Sequence, residues 1–186
     1  DNPDYWVLYT MEAMAISPEK LDAGLVCFYL FNIVHLKEGE GIFQDAGIPH
    51  AYLRGQNVEL MACSDNVIRG GLTPKYVDIV ELLKIVDCRE VTPKIISAAP
   101  QNQSEFTYKT PVNDFALAQI RVEPEKHTKV NLQSAGILLV MQGELKIQEK
   151  STALSLKQGE SAFITVDSNV EIMSEKGGYA FLAKLP

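Results

Sequence analysis

What the 186-residue chain lacks narrows the field first. It has no apolar run near the roughly 20 residues that a membrane-spanning helix needs; the longest, GLVCFYLF at Gly24 to Phe31, is far shorter. It has no block of like charge, and 17 Lys and Arg against 24 Asp and Glu leave a formal net charge of −7. Phosphate contacts need clustered basic side chains, so neither nucleic acid nor a membrane is expected as a partner. Cysteine is scarce: Cys27, Cys63 and Cys88 are odd in number, widely spaced and without a CxxC pair. They read as reduced, mostly buried thiols of a cytoplasmic protein. The start, DNPDYW, has neither a basic flank nor an apolar core, so no signal peptide is expected.

What is present reads as mainly β, with a few helices. The length is enough for one large domain or two small ones, and 46% hydrophobic residues is ordinary for a globular chain. Asn2-Pro3-Asp4 is a helix start, with an apolar helix over Trp6 to Ala15, and Ser17-Pro18-Glu19 repeats the signal for a short second helix. After Gly24 the texture turns to strands: LVCFYLFNIVHL, then FALAQIRV, GILLVMQ, ELKIQE, TALSLK, SAFITV and GYAFLAKL, often alternating and separated by turn residues. One helix interrupts them over 74–87, capped by Thr73-Pro74, with Tyr76, Ile79, Val80 and Leu83 as its apolar stripe. His35 reads as a strand residue, His127 as part of the polar loop EPEKHTK, and Glu38 and Glu40 as turn and edge charges. Thr92 to Phe106 is the expected linker. The division is thus 1–23 as the end of a helical segment, 24–105 as one β unit and 106–186 as a second.

A repeat supports two units. Leu36 to Phe43, LKEGEGIF, and Leu156 to Phe163, LKQGESAF, match at Leu, Lys, Gly, Glu and Phe. Beyond the first copy, Gly39, Gly47 and His50 fit the spacing Gly-x5-Pro-x-Gly-x2-His of the second cupin motif, with Asp45 at the Pro position. The resemblance implies two cupin-like jelly-roll units, of which only the first keeps a metal ligand, since Val170 replaces His50 in the second copy.

The stretch from His50 to Lys75, HAYLRGQNVELMACSDNVIRGGLTPK, threads ionisable groups through an apolar, strand-like run. His-Ala-Tyr, Gly55, Glu59, Met61-Ala62, Ser64-Asp65-Asn66, Arg69 and Thr73-Pro74-Lys75 closely resemble the signature of the type I mannose-6-phosphate isomerases, Gly70 standing where Ala is usual. That resemblance implies zinc-dependent interconversion of mannose 6-phosphate and fructose 6-phosphate. His50 matches the last zinc ligand. Glu59, Asp65, Arg69 and Lys75 match positions that line the sugar-phosphate pocket, with Tyr52 beside the metal ligand. Tyr52, Arg69 and Lys75 are the expected substrate contacts, and which of Glu59, Asp65 and Lys75 moves the proton is open. Taken alone, His50 is a hydrogen-bonded structural residue, Asp65-Asn66 a turn and Arg69 a rim salt bridge; the motif context reverses each reading.

In that family the other zinc ligands come from a Gln-x-His pair and a Glu lying earlier in the chain; here the only His before His50 is His35, and no Gln-x-His occurs upstream. One ligand does not hold zinc. The expectation is therefore the C-terminal portion of an isomerase, catalytic only with a missing N-terminal portion and a sugar phosphate as partner. The alternative is a non-catalytic, cupin-like protein that keeps the pocket for binding or regulation.

Overall fold

The computed structural model describes residues 2–64 and 67–186. Helix α1, Pro3–Ala13, starts where Asn2 predicts it, the Asn2 side chain accepting from the Asp4 N–H at 2.9 Å. Ser17-Pro18-Glu19 forms only a turn, closed by the Lys20 N–H to Ser17 O at 3.0 Å. The apolar run after Gly24 is not a strand. Ala23–Val26 is a 3₁₀ turn and Cys27–Leu30 is α2. Its buried residues, Leu25 and Phe28, lie three apart while Val26, Tyr29 and Leu30 face solvent, a helical spacing rather than an alternating one. Asp22 caps this start through its Oδ1, which accepts from the Gly24 N–H at 2.7 Å.

The helix expected over 74–87 is shorter. Helix α3 covers Ile79–Ile85, and Asp78 caps it by accepting from the Glu81 N–H at 3.0 Å. An Asp three residues ahead of a Glu is the stronger start signal, whereas Thr73 accepts from the Lys75 N–H in a local turn. The expected stripe of Tyr76, Ile79, Val80 and Leu83 is exposed.

The strands are β1 Glu40–Ile42, β2 Ile95–Ser97, β3 Ala99–Pro100, β4 Glu105–Tyr108, β5 Ala116–Val122, β6 His127–Leu132, β7 Gly136–Gln142, β8 Glu144–Glu149, β9 Thr152–Lys157, β10 Ser161–Ile164, β11 Ser168–Met173 and β12 Gly178–Lys184. Thr92 to Phe106, expected as a linker, thus carries β2, β3 and the start of β4. His127 opens β6 instead of sitting in a loop: Thr128, Val130 and Leu132 alternate inward, and His127 pairs with Glu171 at 3.2 Å. β1 pairs with β2. A six-stranded sheet runs β10-β7-β12-β5-β4-β3, and a four-stranded sheet runs β6-β11-β8-β9. All their pairings are antiparallel. Ile120, Leu138 and Leu182 from one sheet meet Val130, Leu145 and Ile172 from the other in a single apolar core.

The chain divides into two compact units, one of 1–37, 42–58 and 63–95, the other of 38–41, 59–62 and 96–186. The mainly β fold is borne out, with its two large sheets in the second unit. The repeat is visible in the backbone. Gly39 and Gly159 both sit at left-handed φ, +80° and +84°, and at the same offset Gly47 and Asp167 do so at +78° and +57°. Val170 then lies opposite Val130 on β11, 5% exposed. It fills the core as the repeat predicts.

Candidate functional site

The signature segment forms no regular strand among its described residues. Its place in the first unit is set by contacts that start with glycine. Gly47 has a left-handed φ, and a Cβ there would stand 2.8 Å from Ile85 O, so the backbone passes the end of α3 closely. The Asp87 N–H donates to Gly47 O at 2.9 Å. Three residues on, His50 is exposed, its Nδ1 3.0 Å from Ile48 O. Its ring meets Tyr52 edge to face at a centroid distance of 6.1 Å, and Tyr52 is largely exposed.

The far end of the signature is tied by a carboxylate. Besides capping Gly24, Asp22 accepts from the Leu72 N–H through Oδ2 at 3.2 Å. Gly71 permits this approach, because a Cβ on it would lie 3.0 Å from Asp22 Oδ1 and 3.4 Å from Gly24 Cα. At Gly70, where Ala is usual, a Cβ would meet among the described residues only Leu82 Cδ2 at 3.9 Å, an ordinary contact. Against those residues Gly70 relieves no crowding. Arg69 is half-buried, and Lys75 is exposed. Glu59 is exposed and belongs to the second compact unit. Asp65 lies outside the described residues. Among the expected site residues that the structure describes, His50 and Tyr52 are in contact.

Two residues that order this region carry no motif. Asp22 is one. Arg54 is the other: its guanidinium carbon lies 5.9, 5.3 and 5.1 Å from the ring centroids of Tyr5, Trp6 and Tyr9, and Nη2 donates to Tyr5 Oη at 2.6 Å. The hydrogen bond to Tyr5 pushes the Arg54 pKa up. Arg54 follows Tyr52 closely, so α1 anchors the segment through it. The aromatic spacing Tyr5, Trp6, Tyr9 was the only sequence signal, and on a helix it reads equally as a packing face.

Among the described residues no three His, Cys, Asp or Glu side chains converge to hold a metal. A lone imidazole does not fit a zinc ion, which takes four ligands in structural sites and three protein ligands in catalytic ones. The cysteines are free, and the expectation that they are mostly buried fails: Cys63 and Cys88 are exposed, and Cys27 is partly covered. Burial, with help from the Asp22 carboxylate, pushes the Cys27 thiol above its usual pKa. No helix of the described residues is long and apolar enough to cross a membrane.

A double-sheet roll filled by alternating side chains, preceded by a histidine-bearing copy of one of its own turns, defines a cupin-type β protein. Likeness to known proteins sharpens that class. Residues 104–176 match the family model for the cupin domain of mannose-6-phosphate isomerase. The mannose-6-phosphate isomerase of Escherichia coli K12 is 42% identical over 149 residues, 80% of this chain and 38% of that protein. The Homo sapiens protein of the same name is 35% identical over 159 residues, 81% of this chain and 38% of that protein. A crystal structure of a phosphomannose isomerase variant from Salmonella typhimurium aligns at a TM-score of 0.82 and 34% identity, over 100% of this chain and 47% of that one. Another, of the Salmonella typhimurium mannose 6-phosphate isomerase bound to substrate and a zinc atom, aligns at 0.74 and 33%, over 96% and 49%. This chain is a relative of the mannose-6-phosphate isomerases and corresponds to their C-terminal part. It spans about 38% of the length of the curated relatives it matches.

Proposed function

We propose that the complete protein is a mannose-6-phosphate isomerase, an aldose–ketose isomerase acting in the cytoplasm, and that this chain contributes one wall of its active site. The observation that carries the reading is the signature from His50 to Lys75, in a chain related to those isomerases at 42% identity in one case. A relative bound to substrate and zinc supports the substrate and metal class. In this reading 1–23 ends a helical segment, 24–105 is the catalytic β unit and 106–186 a metal-free one. His50 contributes one zinc ligand, and residues outside this chain supply the others.

Isomerisation moves a proton between C1 and C2 through an enediolate, so the site needs a positioned acid or base and a positive group near the developing oxyanion. Glu59, Asp65 and Lys75 are the candidates for the proton transfer. Arg69 presents a planar fork of donors that suits a phosphate or an oxyanion. Tyr52, edge-on to His50, and Lys75 complete the substrate contacts. The test is Arg69→Ala in the complete protein. Turnover of mannose 6-phosphate should fall by about 100-fold or more, the loss expected when an oxyanion donor goes, with thermal unfolding unchanged. Near-normal kinetics would show Arg69 to be a bystander and remove the central support of the reading.

A further inference from the structure

The second unit carries an open cleft of about 440 Å³ where β5 ends and β12 begins, and it lies wholly within that unit. Its wall is built by close backbone approach. A Cβ on Gly178 would collide with Gln142 O, and one on Gly143 would lie 2.5 Å from Gly177 O. Beside it the pairing of β12 with β7 shifts register between Tyr179 and Ala180, an irregularity of the kind that re-aims a side chain, and Tyr179 lines the cleft.

The cleft is rich in hydrogen-bond donors held in place. The Arg121 guanidinium lies 4.3 Å over the Phe106 ring, and its Nε and Nη2 both donate to Gln119 Oε1, at 3.1 and 3.0 Å. A guanidinium only donates, so the amide oxygen of Gln119 must face it and the Nε2 must face away. Gln119 is only 8% exposed yet lines the cleft, and no described residue accepts from its Nε2. No buried side-chain nitrogen or oxygen among the described residues lacks a partner, so that nitrogen opens to solvent. A donor held at the cleft wall in this way is open to an acceptor from outside. Lys176 adds a cation on the same lining. Of the two carboxylates there, Glu123 is engaged in an ion pair with Lys126, while Glu38 lies on the left-handed turn at Gly39.

We propose that this cleft binds a small hydroxylated anion, its phosphate or carboxylate group held by Arg121, Gln119 Nε2 and Lys176, with a hydroxyl donating to Glu38. The Arg121 fork is pre-organised by Phe106 and Gln119, so little side-chain freedom is lost on binding. The Nη1 side of that fork, turned away from Gln119, is the edge that meets the oxyanion. The proposal uses none of the signature residues and stands whether or not the isomerase reading does.

The experiment is a titration of the ¹⁵N-labelled chain with inorganic phosphate, acetate and glycerol 3-phosphate at constant ionic strength, following the Arg121 Nε–H and Gln119 amide side-chain signals. Saturable shifts are expected, with glycerol 3-phosphate binding tighter than phosphate. Which of phosphate and acetate binds better names the oxyanion. Arg121→Met keeps the stem over Phe106 and should weaken binding by about tenfold or more, as loss of a charge-assisted pair does. Lys176→Met, on an exposed turn, should weaken it too and keeps the test alive if Arg121→Met unfolds. No saturable shift with any of the three, or equal affinity in the folded Arg121→Met chain, overturns the site. Equal affinity for phosphate and glycerol 3-phosphate overturns the role of Glu38.

Discussion

Apolar side chains meet different fates in the two compact units. In the second, Leu138, Val140, Ile172, Ala180 and Leu182 alternate with outward residues, and all are almost fully enclosed. In the first, Tyr76, Ile79, Val80 and Leu83 are just as apolar and stay in solvent, and among the described residues only Leu25 and Phe28 are buried hydrophobics. The difference lies in what stands opposite each stretch. A strand buries one face only when neighbouring strands pair its backbone and a second sheet covers that face. The second unit has both, whereas the signature segment has no regular strand among its described residues.

The sharpest way to break this contrast is at Val170, where the second copy of the repeat puts an apolar residue at the place of His50. Val170→Asp leaves an unpaired charge opposite Val130 in the core. It should cost on the order of several kcal/mol, read by equilibrium unfolding in urea. A variant as stable as the parent would mean that the core has been wrongly drawn.

A smaller effect separates the ion pairs of the two units. Lys184 and Glu105 join β12 to β4 at 2.8 Å with both side chains mostly covered, at 22% and 16% exposure. Lys184→Met should cost about 1–2 kcal/mol, since a charge-assisted bond is lost and a carboxylate is left half-buried. Lys84 and Glu81 pair on the open face of α3 at 60% and 48% exposure, and Lys84→Met should cost about 0.5 kcal/mol or less. Equal costs would show that covering the pair makes no difference.

The smallest effect lies within the first unit. The raised pKa of Cys27, due first to burial and then to Asp22, leaves less thiolate at any pH between about 8 and 9.5. Cys27 should therefore alkylate several-fold more slowly than the exposed Cys63 and Cys88, as read by peptide mass spectrometry across that range. The gap should narrow as the pH rises through the Cys27 pKa. A Cys27 that reacts first would mean that α2 opens readily.

Much of this was legible in the chain. FALAQIRV, GILLVMQ, ELKIQE, TALSLK, SAFITV and GYAFLAKL became β5, β7, β8, β9, β10 and β12, because alternation is a property of neighbours in sequence and a half-buried strand needs nothing else to be recognised. β6 escaped because its charged start, His127 and Lys129 on the outer face, hides the inward set of Thr128, Val130 and Leu132. The run from Leu25 misled in the opposite sense: a short apolar stretch is the case in which helix and strand look alike, and Asp22 tipped it to helix. In the candidate site the residue types and spacings of His50, Tyr52, Arg69 and Lys75 were readable, but not how they are held.

The sequence by itself determined the features that depend on local sterics. These are the cap at Asn2, the alternating strands, and the repeated turns that require φ > 0 at Gly39 and Gly159. It also determined the signature, whose spacing is a linear property. Only the tertiary structure decided that Asp22 reaches Leu72, that Arg54 settles among Tyr5, Trp6 and Tyr9, and that Phe106 and Gln119 hold Arg121 flat beside a cleft. The reason is geometric. A hydrogen bond or ring contact acts over a few ångströms of space, and residues 22 and 72, or 6 and 54, come within that reach only after the chain has folded.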